Sequence, residues 1–277
     1  MHDILLSVRL RDILISGKIK LVKYWKIGLA ILGILVLAVI ASVFIFRSGA
    51  ETNNLPEFIQ ADFIDLDKIY SISKFRSGSG HDFSSSGEKC RSMKHYFNTQ
   101  DTREKMISFD KNNGIPPKPD GINDINIYSP VDGEIVGVES DQMPIGEQIY
   151  IRPKSNSDYT VRLFHIYLDD NLKKGSQVVA GQKIGVISQY QNTDIAIMGG
   201  GFGRNFISYF DVMPDSIFAK YRERGVKSRD QLIVSKEARD ADPLQCNGEI
   251  FAGEKNDADP NNFFFLTGYI SPNSISF

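Results

Sequence analysis

The chain has no excess of basic charge: 32 Lys and Arg stand against 34 Asp and Glu, a net charge of −2. Nucleic-acid binding domains usually carry a basic patch or a high isoelectric point, so no nucleic-acid partner is expected. Proline and glycine are in no excess, 11 and 23 in 277 residues. That excludes collagen-like and low-complexity disordered chains. No internal repeat is visible. Histidine and cysteine are scarcer still, four and two, so metal or nucleophile chemistry has few residues to draw on. What remains, 42% hydrophobic and 24% charged, is globular composition, with length for one or two domains.

Charge and hydrophobicity are unevenly placed. Residues 1–26 carry six basic side chains (Arg9, Arg11, Lys18, Lys20, Lys23, Lys26) against Asp3 and Asp12, and the rest of the chain is net acidic. From Ile27 to Phe46 runs IGLAILGILVLAVIASVFIF, without a charge. Twenty residues at ~1.5 Å rise span the ~30 Å bilayer core, and a helix satisfies the backbone there. Tyr24 and Trp25 suit the headgroup level. The positive-inside bias puts residues 1–26 in the cytoplasm and residues 47–277 outside. A cleaved signal peptide is the rival reading, but the charged leader is long for one. The expectation is a single-pass membrane anchor, with a polar, turn-rich tether over 47–70.

Residues 71–198 read as short strands joined by turns. YSPVDGEIVGVES, from Tyr128, sets a Pro-x-Asp-Gly turn before a strand. EQIYIRPKS and YTVRLFHIYL alternate around a polar turn, as an antiparallel hairpin does. LKKGSQVVAGQKIGVISQYQNTDIAIM adds further strands, with Gly175 and Gly181 at turns needing positive φ. Such spacing predicts a β-sandwich or small barrel. After Met198, Gly199, Gly200, Gly201 and Gly203 mark a break, and MPDSIFAKYRERG reads as a short helix ending before Gly225. SRDQLIVSKEARDADPL is helix or a strand–helix mixture, and the apolar close from Asn261 is a strand docking on the domain. Residues 199–277 are thus an α/β C-terminal extension of a mainly β unit. GGGFGR (199–204) lacks the Gly-Lys-Ser/Thr ending of a phosphate loop. The charges of Lys236–Asp242 read as a solvated face.

Two phrases, SPVDGEIVGV and FHIYLDDNLKKGSQVVAGQKIGVI, with KFRSGSGHDFSSSGEKCRSMKH upstream, together resemble the lysostaphin/LytM-type zinc endopeptidases. The resemblance covers roughly residues 74–198. It implies an antiparallel β-sandwich, a zinc cofactor and action on envelope peptides. It also implies zinc ligands in a His-x-x-x-Asp pair and in the second His of a late His-x-His strand. By this resemblance His95 falls on the first ligand, but Thr99 stands where Asp is expected. His165 falls on an assisting histidine, Asp194 on the first position of the late strand and Ala196 on its ligand position. Hydrolytic zinc needs three protein ligands and an open position for water, and a methyl group supplies none.

A rewired metal site would draw on His81, Asp82 and His95, with His165 and Asp194 assisting. The Gly/Ser-rich loop around His81 would have to fold back over the cleft. Adjacent side chains on an extended chain diverge, so His81 and Asp82 rarely reach one ion. Otherwise His81 is a solvated loop residue, and His95 and His165 are half-buried, hydrogen-bonded residues of a vestigial cleft. Cys90 and Cys246, an even pair expected outside the membrane, are expected to form a disulfide. Cys90 with His95 as a metal pair, or with His165 as a nucleophilic dyad, is the sharper alternative.

The leading expectation is a membrane-anchored, extracytoplasmic peptidase-like domain with a degenerate zinc site. It would bind or scaffold an envelope peptide or glycan. One alternative is an active zinc endopeptidase using His81, His95 and His165. Another is a lipoyl-like hybrid adaptor of the membrane-fusion type, for which residues 139–160 are too short and too polar to form the long hairpin.

Overall fold

The computed structural model describes residues 55–99, 118–141, 146–199, 205–252 and 259–269. The basic segment 1–26, the apolar run 27–46 and the glycines from 200 to 203 lie outside the described residues. Among the described residues, no helix is long and apolar enough to cross a membrane.

The fold is mainly β and antiparallel. Its strands are β1 (Ser71–Ser73), β2 (His95–Asn98), β3 (Ile125–Tyr128), β4 (Gly133–Ser140) and β5 (Glu147–Pro153). They continue with β6 (Thr160–Leu168), β7 (Gln177–Val178), β8 (Lys183–Ile187), β9 (Thr193–Gly199) and β10 (Asn205–Ile207). Two helices follow, α1 (Asp215–Glu223) and α2 (Lys236–Ala241), then β11 (Cys246–Asn247), β12 (Ile250–Phe251) and β13 (Phe263–Phe265). The main ladder runs β13-β1-β2-β9-β6-β5-β4-β7, with β10 beside β9. β3 and β8 form a second ladder, joined to the first through the end of β6.

This arrangement follows from period-2 alternation. In β5, Ile149 and Ile151 are buried; in β6, Val161 and Leu163; in β9, Ile195 and Ile197. They share one core with Ile125 and Ile127 of β3 and Ile184 and Ile187 of β8. Each such aliphatic side chain contributes roughly 1.5–3 kcal/mol when removed from water. The β5–β6 hairpin, the strand after the Pro-x-Asp-Gly turn and α1 stand where the residue patterns place them. Gly175 and Gly181 adopt φ of 92° and 78°, conformations that glycine reaches without a Cβ penalty. The extension does dock: β13 pairs with β1, Phe264 opposite Ile72.

Two expectations change. The tether of 47–70 does not extend to residue 70, because Phe58, Ile59, Phe63, Ile64, Leu66 and Ile69 are all buried in the core. Polar residues at 51–54 and 60–62 disguised a segment whose apolar side chains pack against Val212, Phe210 and their neighbours. The backbone N–H groups of Phe58 and Ile59 both donate to the Val212 carbonyl. The glycine-rich stretch begins inside a strand, since Gly199 ends β9 and pairs with Asn205 of β10.

Candidate functional site

The three strands expected to form the cleft are neighbours, β2-β9-β6. Their register decides which side chains meet. His95 lies opposite Ile195, Tyr96 opposite Asp194, and Phe164 opposite Asp194 on the other side. Directly paired residues share a face, and successive residues alternate. Lys94, Tyr96, Phe164 and Asp194 therefore line one face. His95 points to the other.

His95 is fully buried there. Its Nδ1 donates to the Ser73 carbonyl at 2.8 Å and its Nε2 accepts from Ser208 Oγ at 2.9 Å. Phe75 and Phe210 flank the ring. Burial pushes its pKa down to about 4, so at neutral pH it is an uncharged, doubly hydrogen-bonded core residue. Both nitrogens being engaged, neither is offered to a metal.

On the cleft face the central group is one that the sequence reading did not single out. Lys94 is buried, and its Nζ lies 2.5 Å from Asp194 Oδ2, itself wholly buried. The ammonium is 4.3 Å from the Phe164 ring centre, 4.7 Å from Tyr96 and 5.1 Å from Phe83, within reach of three cation–π contacts. Burial opposes the charge, but Asp194 more than offsets it and holds the Lys94 pKa above the usual lysine range.

From this pair a chain of alternating charge leads outward. His165 Nε2 is 3.5 Å from Asp194 Oδ1, and its Nδ1 is 2.8 Å from Asp141 Oδ2. Asp141 in turn accepts from Gln148, whose Oε1 accepts from Arg162 Nε at 3.1 Å. Burial works against a charged His165, yet Asp194 and Asp141 hold its pKa above the ordinary histidine value. The two carboxylates thus favour the protonated imidazole, the form that cannot accept a further proton. Burial likewise opposes ionisation of Asp141, but the His165 and Gln148 hydrogen bonds keep it below the usual carboxylate range.

His165 reaches this face through a backbone irregularity. Strict alternation would send its side chain to the core, in line with Val161 and Leu163. Instead it adopts φ 62°, and the β5–β6 register slips around it. A non-glycine residue in the left-handed region costs on the order of 1–3 kcal/mol, and such strain concentrates at functional positions. Gln191 Nε2 donates to the His165 carbonyl at 2.5 Å and anchors the distortion.

The loop carrying His81 and Asp82 does fold back, and the two side chains part as expected. His81 Nδ1 donates to the Asp82 carbonyl at 3.0 Å, and its Nε2 faces Lys94 Nζ at 3.5 Å. Burial and the adjacent ammonium lower its pKa. Asp82 turns into its own loop, where Oδ1 accepts from Ser84 Oγ at 2.7 Å and from the Arg91 amide at 3.1 Å. Phe83, the next residue, stacks on Phe206 with ring centres 4.3 Å apart and meets Phe164 edge-on. With Phe75, Met93 and Ala196 these rings form a small apolar cluster of their own.

Cys90 and Cys246 are bonded, with Cα atoms 5.7 Å apart across 156 positions of sequence. The bridge, the Arg76–Glu88 and Arg91–Glu88 ion pairs and Arg91–Asp240 clip the loop in place. A bonded Cys90 cannot be a thiolate ligand beside His95 or a nucleophile beside His165.

The structure thus joins His165 with Asp194 and brings His81 to the same cluster through Lys94. It separates His95 onto the opposite strand face and Asp82 into the loop. Among the described residues no three His, Cys, Asp or Glu side chains are placed to hold a metal ion. Zinc does not fit: the buried cation beside Asp194 is an ammonium, and Ala196 and Thr99 offer nothing in place of the expected ligands. Thr99 Oγ1 is spent on the Gln189 and Gln191 carbonyls at 2.8 and 3.0 Å.

No protein-family model and no curated protein sequence matches the chain. Among solved structures it is similar to the solution NMR structure of lysostaphin, at 21% identity and TM-score 0.25 over 33% of this chain. It is also similar to a chain of the SpoIIQ–SpoIIIAH pore-forming complex (12% identity, TM-score 0.36, 60% of this chain and 98% of that one). A third is Csd3 from Helicobacter pylori, at 15% identity and TM-score 0.34 over 76% of this chain and 45% of that one. The chain spans 45% of the lysostaphin structure's length. The chemistry of the site is therefore read from this chain's own residues.

Proposed function

We propose that the β domain is a non-hydrolytic binding or scaffolding module, held outside the cell by the apolar run 27–46 and directed at an envelope peptide or glycan. The observation that carries the non-hydrolytic half is the Lys94 ammonium, 2.5 Å from Asp194 Oδ2 on the cleft face. A side chain tethered to the fold supplies the positive charge that a hydrolase of the resembled type takes from zinc. An ammonium has no vacant coordination position and cannot lower the pKa of a bound water as a metal does. His165 is engaged by Asp141 and Asp194, which favour its protonated form over the base a hydrolase would need. The envelope half rests on the sequence phrases around Ser129–Val138 and Phe164–Ile187 and on the segregated basic leader and apolar run.

The test is to incubate the full-length protein with insoluble peptidoglycan, with zinc and separately with chelator, and to follow retention and peptide release together. Retention that chelator leaves unchanged, with no release above the protein-free control, is expected. Zinc-dependent release that is lost in His165→Ala would overturn the non-hydrolytic reading. Absence of retention would overturn the choice of ligand.

A further inference from the structure

A second cleft, of about 560 Å³, opens where residues 61–67 meet α1, with Tyr128 and Gly181 on its wall. Asp62 lines it and is only 9% exposed. One carboxylate oxygen is engaged: Oδ1 accepts from the Tyr221 phenol at 2.5 Å and lies 3.5 Å from that of Tyr209. The other, Oδ2, has no hydrogen-bond partner. Its nearest cation, Lys220 Nζ, stands 3.9 Å away on a side chain that is 61% exposed. A buried carboxylate oxygen left unmatched in this way is costly, and groups so placed in a cleft mark binding sites.

The surroundings define what would match it. Asp62, Asp65, Asp67 and Glu223 outnumber Lys220 and Arg224 around the cleft, which favours a cation. A divalent metal would need further free carboxylates. Asp65 is already bonded to Asn126 Nδ2 at 3.1 Å and to the Tyr128 phenol at 2.9 Å, and no trio of ligands assembles among the described residues. Ile64 and Leu66 give the lining an apolar component beside the charges. An ammonium on a short apolar stem combines the two requirements, since such stems cover apolar surface while the charged head seeks a partner.

We propose that this cleft binds a primary alkylammonium group, of the kind a lysine side chain presents in a peptide, through Asp62 Oδ2. Lys220 is the resident competitor, near enough to screen the carboxylate and exposed enough to be displaced. Burial, set against the Tyr221 hydrogen bond, leaves the Asp62 pKa at about 6, so the carboxylate is available as an anion at neutral pH.

The probe is Nα-acetyl-lysine methylamide, with Nα-acetyl-norleucine methylamide as the uncharged control. Each is titrated into the full-length protein while the Ala61 and Gly181 amide resonances are followed. Saturable shifts are expected with the lysine probe, and binding about tenfold or more weaker with norleucine or in Asp62→Asn, from loss of one charge-assisted hydrogen bond. Lys220→Met, at an exposed position that does not endanger folding, is expected to tighten binding about threefold by removing the competing charge. Equal binding of the two probes, or no saturable shift with the lysine probe in both wild type and Lys220→Met, would overturn the proposal. The outcome is independent of whether the Lys94 cleft is hydrolytic.

Discussion

Two buried aspartates stand in this fold under opposite conditions. Asp194 is wholly buried and has an equally buried ammonium at 2.5 Å. Asp62 is nearly as buried but has phenols on one oxygen and a solvent-exposed lysine 3.9 Å from the other. The first charge is neutralised within the fold, and its cleft is crowded by Phe83, Phe164 and Phe206. The second is covered only by a lysine side chain that is itself 61% exposed. One buried carboxylate is therefore closed by an equally buried neighbour, while the other depends on a side chain that solvent can draw away.

The largest expected effect is on the closed site. Lys94→Met leaves Asp194 without its cation, and breaking a buried pair by removing one partner costs about 3–5 kcal/mol. Chemical denaturation of Lys94→Met, Asp194→Leu and the double variant measures this. The double variant should recover most of the loss, since a packed apolar pair replaces an ion pair at little cost. Equal losses in all three would mean that the pair contributes packing alone.

The open carboxylate is expected to appear in the pH dependence. The folded pKa of Asp62, about 6, lies above the ordinary aspartate value of 3.8. Its contribution is therefore fully present below pH 3.8 and is lost as pH rises through 6. Relative to wild type, Asp62→Asn should gain about 3 kcal/mol between pH 4 and 6, with no further change above. Stability measured across that range checks it. A flat difference would require a hydrogen-bond donor or cation on Asp62 beyond Tyr221, Tyr209 and Lys220.

His95 is expected to work in the opposite direction. Its folded pKa of about 4 lies below the ordinary histidine value of 6.5, so its contribution is present above 6.5 and is lost as pH falls through 4. His95→Gln should remove up to about 3 kcal/mol of that acid-side loss, less whatever the altered hydrogen bonds to Ser73 and Ser208 cost. Because the Asp62 and His95 slopes oppose each other, wild-type stability should vary less across this window than either variant's.

Much of the fold is legible in the residue pattern. Alternation in 147–153 and 160–168, the Pro-x-Asp-Gly turn, the glycines at 175 and 181 and the helix from Asp215 all stand where the residues put them. The cysteine pairing is legible too. The site is less so, because it depends on register. His95 matches a ligand position in a linear phrase, but pairing with Ile195 rather than Asp194 sends it to the other face. His165 does meet Asp194, but the backbone reversal that brings it there has no signature in its flanking residues. Lys94 left one clue, a lone cation between Met93 and His95 just before β2. Asp62 was hidden by the polar start of its segment, although Phe58, Ile59, Phe63 and Ile64 around it carry enough apolar surface to mark a core segment.

The most direct test of the central claim, that a tethered ammonium occupies the cleft in place of a metal, is equilibrium dialysis of the full-length protein against micromolar free zinc, with elemental analysis of zinc per chain. The account predicts far less than one equivalent, unchanged in His95→Ala. One equivalent bound, and lost in His95→Ala or His165→Ala, would contradict it.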